Sequence, residues 1–395
     1  MTTALGIAAA LVALAWAALA VRLIRLARGP SFRFLGPMGP SPIAFPAVDA
    51  IVPARNEEAN VAATIAGLLA QDYPSLTIRT IDDQSTDGTA AILERLAAEP
   101  GSRLVLIRGS ERPKGWVGKT WAVHQGVLGT PSDWLWFVDA DMGLHPGALS
   151  RAMAEAERTG ADLVSFLPGL RCLTFWQGSI ASAFLQLLSQ LYPLDRVNDP
   201  ARPEALAAGG FLLIRRAAYD RAGGHEACRR SITEDIQLAR NVKAGGGRLA
   251  IRLAPGLAWT HMYGSFGEIW RGLRKNAYAG MDYLPHKYAT GTIVALALAW
   301  APLLALGVGL ASGDRHALAV GGAGVLAQAV ATIPILIFLK LPFPFAFTLP
   351  VGISAYVAIA TSSVWHHHRG RILWKGRILP ASMVASSVDP PGTPS

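Results

Sequence analysis

Two acids that stand two positions apart form the most suggestive short motif of the chain. Asp139 and Asp141 flank a single alanine, and on an extended or turning backbone two such carboxylates can share one hard cation. A Mg²⁺ or Mn²⁺ ion held in this way would keep coordination positions open for phosphate oxygens. A polar turn with solvated acids would give the same pattern, so the pair needs support from its position in the fold.

Adjacent acids occur at two other places. Asp82 and Asp83 could accept hydrogen bonds from a ribose or from a base N–H, although the polar residues 85–87 that follow them are also typical of a helix cap. Glu234 and Asp235 open a predicted helix, where capping is again the simpler explanation. Asp235 is nevertheless a candidate general base, because a carboxylate beside a phosphate and metal site could take a proton from an attacking hydroxyl.

Lys119 is a candidate basic partner for these acids. It lies at the predicted start of a helix, where backbone N–H groups and an ammonium group together suit a diphosphate. A solvated surface lysine is the alternative.

The elements that would position these residues alternate between strand and helix. Between residues 45 and 287, short apolar runs rich in β-branched residues alternate with helical segments, which predicts βαβ units and a mostly parallel sheet. The predicted strands are 48–52, 76–81, 104–107 and 134–138, and the predicted helices are 56–69, 87–96, 119–127 and 236–242. Polar clusters follow three of these strands, at the carboxyl ends where open sheets of this type bind ligands.

Composition narrows the class of protein. Of 395 residues, 51% are hydrophobic and 16% are charged, whereas about a quarter of an ordinary soluble protein is charged. This excludes disorder and argues against a purely cytosolic protein. The net charge of +9 would suit nucleic acid, anionic lipid or phosphate groups, and because the basic residues cluster beside apolar segments, lipid is favoured and nucleic acid is not expected as a partner.

Several common sites lack their sequence signals. Cys172 and Cys228 have neither metal nor redox spacing. No Gly-x-Gly-x-x-Gly follows a predicted strand and no Walker-type glycine loop occurs, so dinucleotide oxidoreductases and P-loop enzymes lose their main support.

Long stretches without charge lie at both ends of the chain. Residues 3–21 are followed by four arginines before the first acid, which favours an uncleaved anchor with its N-terminus outside and a cytoplasmic middle domain. Residues 288–313, 317–339 and 341–365 could each cross a bilayer. Three crossings would leave the tail outside, yet its basic residues argue for the inside. Prolines 342 and 344 would break a regular helix, so two or three crossings stay open.

These observations predict four parts of the chain. They are an N-terminal transmembrane anchor at 1–28, a cytoplasmic catalytic domain at 46–287, a C-terminal membrane region of two or three helices at 288–365, and a tail at 366–395 that is first basic and then rich in Pro and Ser.

The acidic motifs together resemble those of family 2 glycosyltransferases of the GT-A fold. They occur in order at residues 51–57 (Ile-Val-Pro-Ala-Arg-Asn-Glu), 82–89, 139–141 and 233–235, and the resemblance covers about residues 46–280. It implies a nucleotide-sugar-binding domain, in which a mostly parallel sheet is flanked by helices, with transmembrane helices at both ends. Segments 116–122, 192–200 and 374–377 look most like hopanoid-biosynthesis-associated and carotenoid (diaponeurosporenoate-type) enzymes of the membrane-bound, lipid-modifying branch. Ceramide glucosyltransferases are more distant.

The resemblance also implies roles for individual residues. Asp235 would be the catalytic base, with Glu234 as the alternative, while Asp139 and Asp141 would hold Mg²⁺ or Mn²⁺ on the diphosphate. An acceptor hydroxyl would attack the anomeric carbon with inversion, and the metal and Lys119 would stabilise the leaving diphosphate. With the adjacent acids included, the expected nucleotide-sugar contacts are Pro53, Arg55, Glu57, Asp82, Asp83, Lys119 and Asp139.

One departure from the family pattern concerns the acceptor. Processive and ceramide-type relatives carry a Gln/Arg-x-x-Arg-Trp motif after the base, whereas this chain has Trp-Arg-Gly-Leu-Arg-Lys-Asn at 270–276. Arg271, Arg274 and Lys275 could still contact the diphosphate or the acceptor, but the aromatic acceptor platform is missing from its usual place. The apolar, aromatic stretch 166–194 could line an acceptor path at the membrane, with an ordinary core helix as the alternative.

The sequence is therefore interpreted as that of a metal-dependent glycosyltransferase, a hexosyltransferase, integral to the inner (cell) membrane with its catalytic domain cytoplasmic. Its donor would be a nucleoside-diphosphate sugar, with UDP as the expected nucleotide, and its acceptor a lipid. Transfer to polyprenyl phosphate and a polysaccharide-building role are alternatives among enzymes. An inactive membrane scaffold is an alternative of another class, against which the presence of all four acidic motifs argues.

Overall fold

The computed structural model describes residues 2–27, 35–36, 39, 41–261, 263–370, 372–374 and 377–379. The described residues form two compact units. The first takes its residues from 1–33, 171–191 and 262–365, and the second from 34–170, 192–261 and 366–395. The predicted catalytic domain at 46–287 thus contributes to both units. Most of the predicted tail, including Arg371 and Lys375, lies outside the described residues.

The elements have the following bounds. The strands are β1 (Val48–Ala54), β2 (Leu76–Asp82), β3 (Leu104–Arg108), β4 (Trp134–Phe137), β5 (Met142–Leu144), β6 (Leu163–Leu167), β7 (Gly169–Arg171), β8 (Leu212–Arg215), β9 (Leu249–Leu253), β10 (Ala258–His261), β11 (Ile372–Trp374) and β12 (Arg377–Leu379). The helices are α1 (Thr2–Ala27), α2 (Val61–Leu69), α3 (Thr89–Ala97), α4 (Gly118–Val127), α5 (Ala148–Thr159), α6 (Phe175–Leu191), α7 (Leu194–Val197), α8 (Arg216–Arg221), α9 (Gly224–Ala227), α10 (Glu234–Ala244), α11 (Phe266–Ala277), α12 (Pro285–Ser312), α13 (Arg315–Leu339) and α14 (Leu349–His368).

The second unit is built on a seven-stranded mixed sheet with the strand order β3-β2-β1-β4-β8-β6-β9. Strands β1 to β4 run parallel to one another, as do β6 and β9, while β8 runs antiparallel to both of its neighbours. A three-stranded sheet in the order β5-β10-β7 accompanies it. Within the seven-stranded sheet, four pairs of neighbouring strands are parallel and two are antiparallel, and the α/β class expected from the alternating pattern is confirmed.

Strand β1 lies inside the sheet and is buried on both faces, and its side chains are apolar except for that of the buried Asp49. Val48, Ala50 and Val52 pack in one core cluster with Ile65 of α2 and Met153 of α5. On the other face, α4 approaches closely at Gly126, where a Cβ atom would lie 2.6 Å from Ile51 Cγ2 and 2.4 Å from Ile81 Cδ1. A sheet covered on both faces is what a parallel arrangement requires.

The first unit contains the long apolar helices. Among the described residues, α12 with 28 residues and α13 with 25 residues are long and apolar enough to cross a membrane. Helix α1 covers the predicted anchor at 3–21, and its crossing stays a prediction.

The predicted stretch at 341–365 is not a single helix. Helix α13 ends at Leu339, a short 3₁₀ segment occupies Phe343–Phe347, and α14 begins only at Leu349. Pro342 and Pro344 explain the break, because proline lacks an N–H donor and its ring clashes with the preceding turn of a helix.

Candidate functional site

The loops after β1 and β2 are tied together by hydrogen bonds. The Thr86 N–H donates to Asn56 Oδ1 at 2.8 Å, the Asn56 N–H to Ser85 Oγ at 3.1 Å, and the Glu57 N–H to Thr89 Oγ1 at 2.8 Å. Asn56 has a φ of 49°, in the left-handed region that asparagine tolerates better than most residues. The polar residues after each strand therefore hold two loops side by side, and this is why α2 and α3 begin later than the predicted residues 56 and 87.

Asp82 and Asp83 have different surroundings. Asp82 Oδ2 accepts a hydrogen bond from Arg108 at 3.0 Å, and Asp82 Oδ1 accepts the N–H of Ser85 at 3.2 Å, so this carboxylate anchors the loop. Asp83 is buried, and Arg55 donates to its backbone carbonyl. The nucleotide contacts of Asp83, Arg55 and Asp82 stay predictions.

Lys119 lies between two carboxylates that come from different elements. Its Nζ is 2.6 Å from Asp139 Oδ1, in the turn after β4, and 2.8 Å from Glu234 Oε1, at the start of α10. Burial alone would lower the pKa of Lys119, but Asp139, Glu234 and Asp235 outweigh it and hold that pKa well above its ordinary value. Lys119 therefore stays protonated among these acids.

Asp235 is held by backbone N–H groups on both carboxylate oxygens. Oδ2 accepts the N–H of Gly209 at 2.8 Å, and Oδ1 accepts the N–H of Ile236 at 2.8 Å. Burial, and then the neighbouring Glu234, raise the pKa of Asp235 to about 6, although Lys119 acts in the opposite direction. A carboxylate with a pKa near physiological pH is well suited to general base catalysis. Glu234 suits that role less, because its carboxylate is paired with Lys119.

Gly209 completes this arrangement and was not predicted. A Cβ atom at this position would lie 3.0 Å from Lys119 Nζ and 3.3 Å from Asp235 Oδ2. Only a hydrogen atom leaves both groups in place while the backbone N–H reaches Asp235. The signal in the sequence is the Gly209-Gly210 pair directly before the apolar run of β8, and it does not reveal the partners.

A small cavity joins these residues and includes His225, which was also not predicted. Tyr219 Oη accepts the backbone N–H of His225 at 2.9 Å and lies 3.0 Å from its Nδ1. Burial, followed by Lys119 and His124, lowers the pKa of His225 to about 3, so the ring is neutral. The cavity lining is Pro53, Lys119, Val123, Phe137, Val138, Asp139, Gly209, Leu212, His225, Glu234, Asp235 and Leu238.

The two acids of the predicted metal motif fit a hard divalent cation. Desolvation by the surrounding protein, then the charges of Asp139 and Glu57, raise the pKa of Asp141 to about 6 even though the residue is partly accessible to solvent, and a cation would relieve the repulsion among these acids. Within the described part of the chain, no group of three or more His, Cys, Asp or Glu side chains is arranged to hold a metal ion. The remaining ligands of a bound Mg²⁺ or Mn²⁺ would therefore be phosphate oxygens and water, as the open site predicted from the sequence requires.

The three basic residues predicted to contact the diphosphate or the acceptor lie on α11 in the first unit. Arg271, Arg274 and Lys275 belong to this helix, which begins after Ser265, whose Oγ accepts the N–H of Glu268 at 3.2 Å. Their contacts with donor or acceptor stay a prediction.

Comparisons with known proteins relate part of the chain to a known family. Residues 49–223 match the family described as Glycosyl transferase family 2. The chain is 29% identical over 194 residues to 4,4'-diaponeurosporenoate glycosyltransferase of Staphylococcus aureus strain USA300, which is 49% of this chain and 50% of that relative. The protein of the same name from strain bovine RF122 / ET3-1 is 29% identical over 190 residues, 48% of this chain and 49% of that relative. The chain thus spans about half the length of the curated relatives that it matches.

A solved structure shows the same fold. The mannosyltransferase PcManGT from Pyrobaculum calidifontis, in complex with GDP-Man and Mn²⁺, matches with a TM-score of 0.54 over 92% of this chain and 99% of that chain, at 20% sequence identity. The mixed α/β fold of the chain is that of GT-A glycosyltransferases.

Proposed function

Because residues 49–223 match the family described as Glycosyl transferase family 2, we propose that the protein transfers a sugar from a nucleoside-diphosphate sugar to a lipid acceptor with inversion at the anomeric carbon. The observation that supports it most is the convergence of Lys119, Asp139, Glu234 and Asp235 on one cavity. These residues come from three separate parts of the chain, and together they supply a cation for a diphosphate, an acid for a metal and a base.

Asp235 is the base of this proposal. An acceptor hydroxyl is a poor nucleophile at neutral pH, so a carboxylate must take its proton as the oxygen attacks the anomeric carbon. The new bond joins the acceptor oxygen to the sugar, the bond from the sugar to the diphosphate breaks, and the proton stays on Asp235. The N–H groups of Gly209 and Ile236 orient the carboxylate for this step.

The leaving diphosphate is stabilised by charge. Lys119 supplies an ammonium that stays protonated, and fixed charges of this kind act on the charge that develops in the transition state. Asp139 and Asp141 would hold Mg²⁺ or Mn²⁺, which when bound neutralises the diphosphate as a Lewis acid. The mannosyltransferase with the same fold contains Mn²⁺. Pro53, Arg55, Glu57 and Asp83 are the proposed nucleotide contacts, with UDP as the expected nucleotide.

A lipid acceptor is supported by the relatives and by the apolar helices. The curated relatives are named for a carotenoid acid, and α12 and α13 are long and apolar enough to hold the chain in a membrane. We place the reaction at the cytoplasmic face of the cell membrane, since the basic residues after α1 favour that orientation.

Membranes that contain the full chain test this function directly. They are incubated with a panel of nucleotide sugars and lipid extracts, and the products are identified by mass spectrometry. A lipid glycoside is expected, its formation is abolished by excess chelator, and Mn²⁺ or Mg²⁺ restores it. The variant Asp139→Asn/Asp141→Asn serves as the inactive control. A sugar on polyprenyl phosphate or a polymer would favour the corresponding alternative acceptor, and full activity in excess chelator would contradict the metal site.

A further inference from the structure

The ammonium of Lys119 contacts an acid that the metal is expected to use. Its Nζ lies 2.6 Å from Asp139 Oδ1, which is within the range of a charge-assisted hydrogen bond. A divalent cation on the same carboxylate would be repelled by this ammonium, because like charges at such short range repel strongly in a partly buried site. Lys119 and the metal therefore compete for Asp139.

Lys119 has a second partner that keeps it near the site when it leaves Asp139. Glu234 Oε1 is 2.8 Å from Nζ, and the Glu234 side chain is only 7% exposed, whereas that of Asp139 is 34% exposed. Glu234 can therefore keep its ion pair with the ammonium while Asp139, which is more exposed, releases the ammonium and binds another cation. Gly209 has no side chain to fill the position beside Nζ.

Resting on the function proposed above, we propose that Lys119 is the resting counter-cation of the site: it neutralises Asp139 until the metal and the diphosphate arrive together, and then passes from Asp139 to the diphosphate. Asp139, Glu234 and Asp235 act electrostatically on Lys119, and Asp139 and Glu57 act on Asp141, so these acids need a cation to balance their charge. Lys119 thereby opposes binding of the bare metal and favours binding of the metal with its nucleotide. The donor complex, and not the free metal, is the ligand that the site selects.

The test compares two ligands on one variant. Lys119→Met keeps the length of the side chain and removes its charge. Calorimetry on the purified full chain is expected to show Mn²⁺ alone binding about tenfold tighter than to the wild type, while UDP in the presence of saturating Mn²⁺ binds about tenfold more weakly, which is within the usual size of coupling between two ligands. Lys114→Met is the matched control, since Lys114 is exposed and lies five positions away on the same segment, and it should change neither affinity.

The outcomes separate this inference from the proposed function. If both affinities of Lys119→Met fall, or if Mn²⁺ alone binds as to the wild type, Lys119 does not compete with the metal and the inference is wrong. Lys119→Gln, which keeps a polar group, must also bind Mn²⁺ alone more tightly and UDP with Mn²⁺ more weakly than the wild type. It replaces the methionine variant if circular dichroism shows that the latter is unfolded. A wild-type chain that binds neither Mn²⁺ nor UDP would instead contradict the proposed function.

Discussion

Asp235 carries the most specific prediction at the scale of single residues. Asp235→Asn keeps the size of the side chain and removes the base, so turnover should fall by about 10²-fold or more, while donor affinity changes little because the base acts on the transition state. Turnover with saturating donor and calorimetric donor binding measure the two quantities. Asp133→Asn, at an exposed acid of the same unit, is the control. If donor binding is lost, Asp235 belongs to the nucleotide site. If turnover equals that of the wild type, Asp235 is only a helix cap.

The raised pKa of Asp235 predicts a pH dependence. Only the deprotonated carboxylate can accept a proton, and burial together with Glu234 raises its pKa to about 6. The value of kcat/KM should therefore rise about tenfold per pH unit below about pH 6 and level off above it. Initial rates between pH 5 and 8 measure this, at saturating Mn²⁺ so that titration of Asp141 does not add to the profile. A flat profile over this range would contradict the assignment.

The prediction for Gly209 concerns the steric effect of an added side chain and not a change of charge. Gly209→Ala would place a Cβ atom 3.0 Å from Lys119 Nζ and 3.3 Å from Asp235 Oδ2, so the lysine, the carboxylate or the loop must shift. We expect a loss of turnover of about 10²-fold, the size seen when a catalytic group is displaced by about 1 Å, with the unfolding midpoint nearly unchanged. Gly36→Ala is the control, because nothing lies within 4 Å of a Cβ atom there. Equal turnover for the two variants would show that the loop relaxes freely.

The sequence identifies the charged residues of the site better than the others. Asp139, Asp235 and Lys119 stand out because each is a polar residue directly after a strand or at the start of a helix, and those positions can be read from the pattern. Gly209 and His225 carry no such mark. Their roles depend on groups from distant parts of the chain, such as the contact of Gly209 with Lys119 across 90 positions, and no local pattern encodes that contact.

At the scale of elements, one asparagine side chain forms hydrogen bonds with the backbone of the edge strand β9. Asn198 Oδ1 accepts the N–H of Ile251 at 2.7 Å, and its Nδ2 donates to Ile251 O at 3.2 Å and to Leu194 O at 2.8 Å. β9 is the last strand in the order of the sheet, so these bonds satisfy backbone groups that an edge strand would leave open.

Asn198→Ala should therefore destabilise the second unit by about 1–3 kcal/mol, the usual cost of leaving buried backbone groups without partners. The unfolding midpoint in urea and hydrogen exchange of the peptide that contains β9 measure this, and exchange should accelerate there first. Asn60→Ala, at an exposed asparagine that contacts Glu57, is expected to change stability by less than about 0.5 kcal/mol. If the two variants unfold alike, the side chain of Asn198 does not protect the edge.

The strands and helices that the sequence predicts between residues 48 and 138 are of the type found in the structure, whereas some of their boundaries differ. The strand at 48–52 and the helix at 119–127 were predicted within two residues of β1 and α4, because their apolar periodicity is strong. Residues 56–58 and 87 were assigned to helices, yet in the structure they link two loops. Their side chains and N–H groups bond across the gap between β1 and β2, and this pairing competes with the first turn of each helix.

At the scale of the whole molecule, each of the two units is assembled from three separate segments of the chain. In sequence, helix α6 lies between strands of the seven-stranded sheet, but it belongs to the first unit. There Gly178 contacts Phe345, and Gly352 contacts the backbone of Ser179. Small residues permit these close helix contacts. The sequence pattern alone assigns residues 171–191 to the predicted catalytic domain, because nothing in it indicates contacts with residues about 170 positions later.

The proposed orientation in the membrane can be tested with two single cysteines in the full chain. Cys172→Ser removes the partly exposed thiol, while Cys228 stays because it is buried and its pKa is raised to about 12 by that burial. In this background Glu99→Cys marks the second unit and Ser312→Cys marks the end of α12, both at exposed positions. If α1 starts outside and α12 returns to that side, a membrane-impermeant maleimide should label Ser312→Cys in intact cells, and Glu99→Cys only after the cells are opened. The parent without either cysteine controls for background labelling. The reverse pattern would place the catalytic unit outside, where a nucleotide-sugar donor made in the cytoplasm could not reach it, and the proposed function would then have to be abandoned along with the orientation.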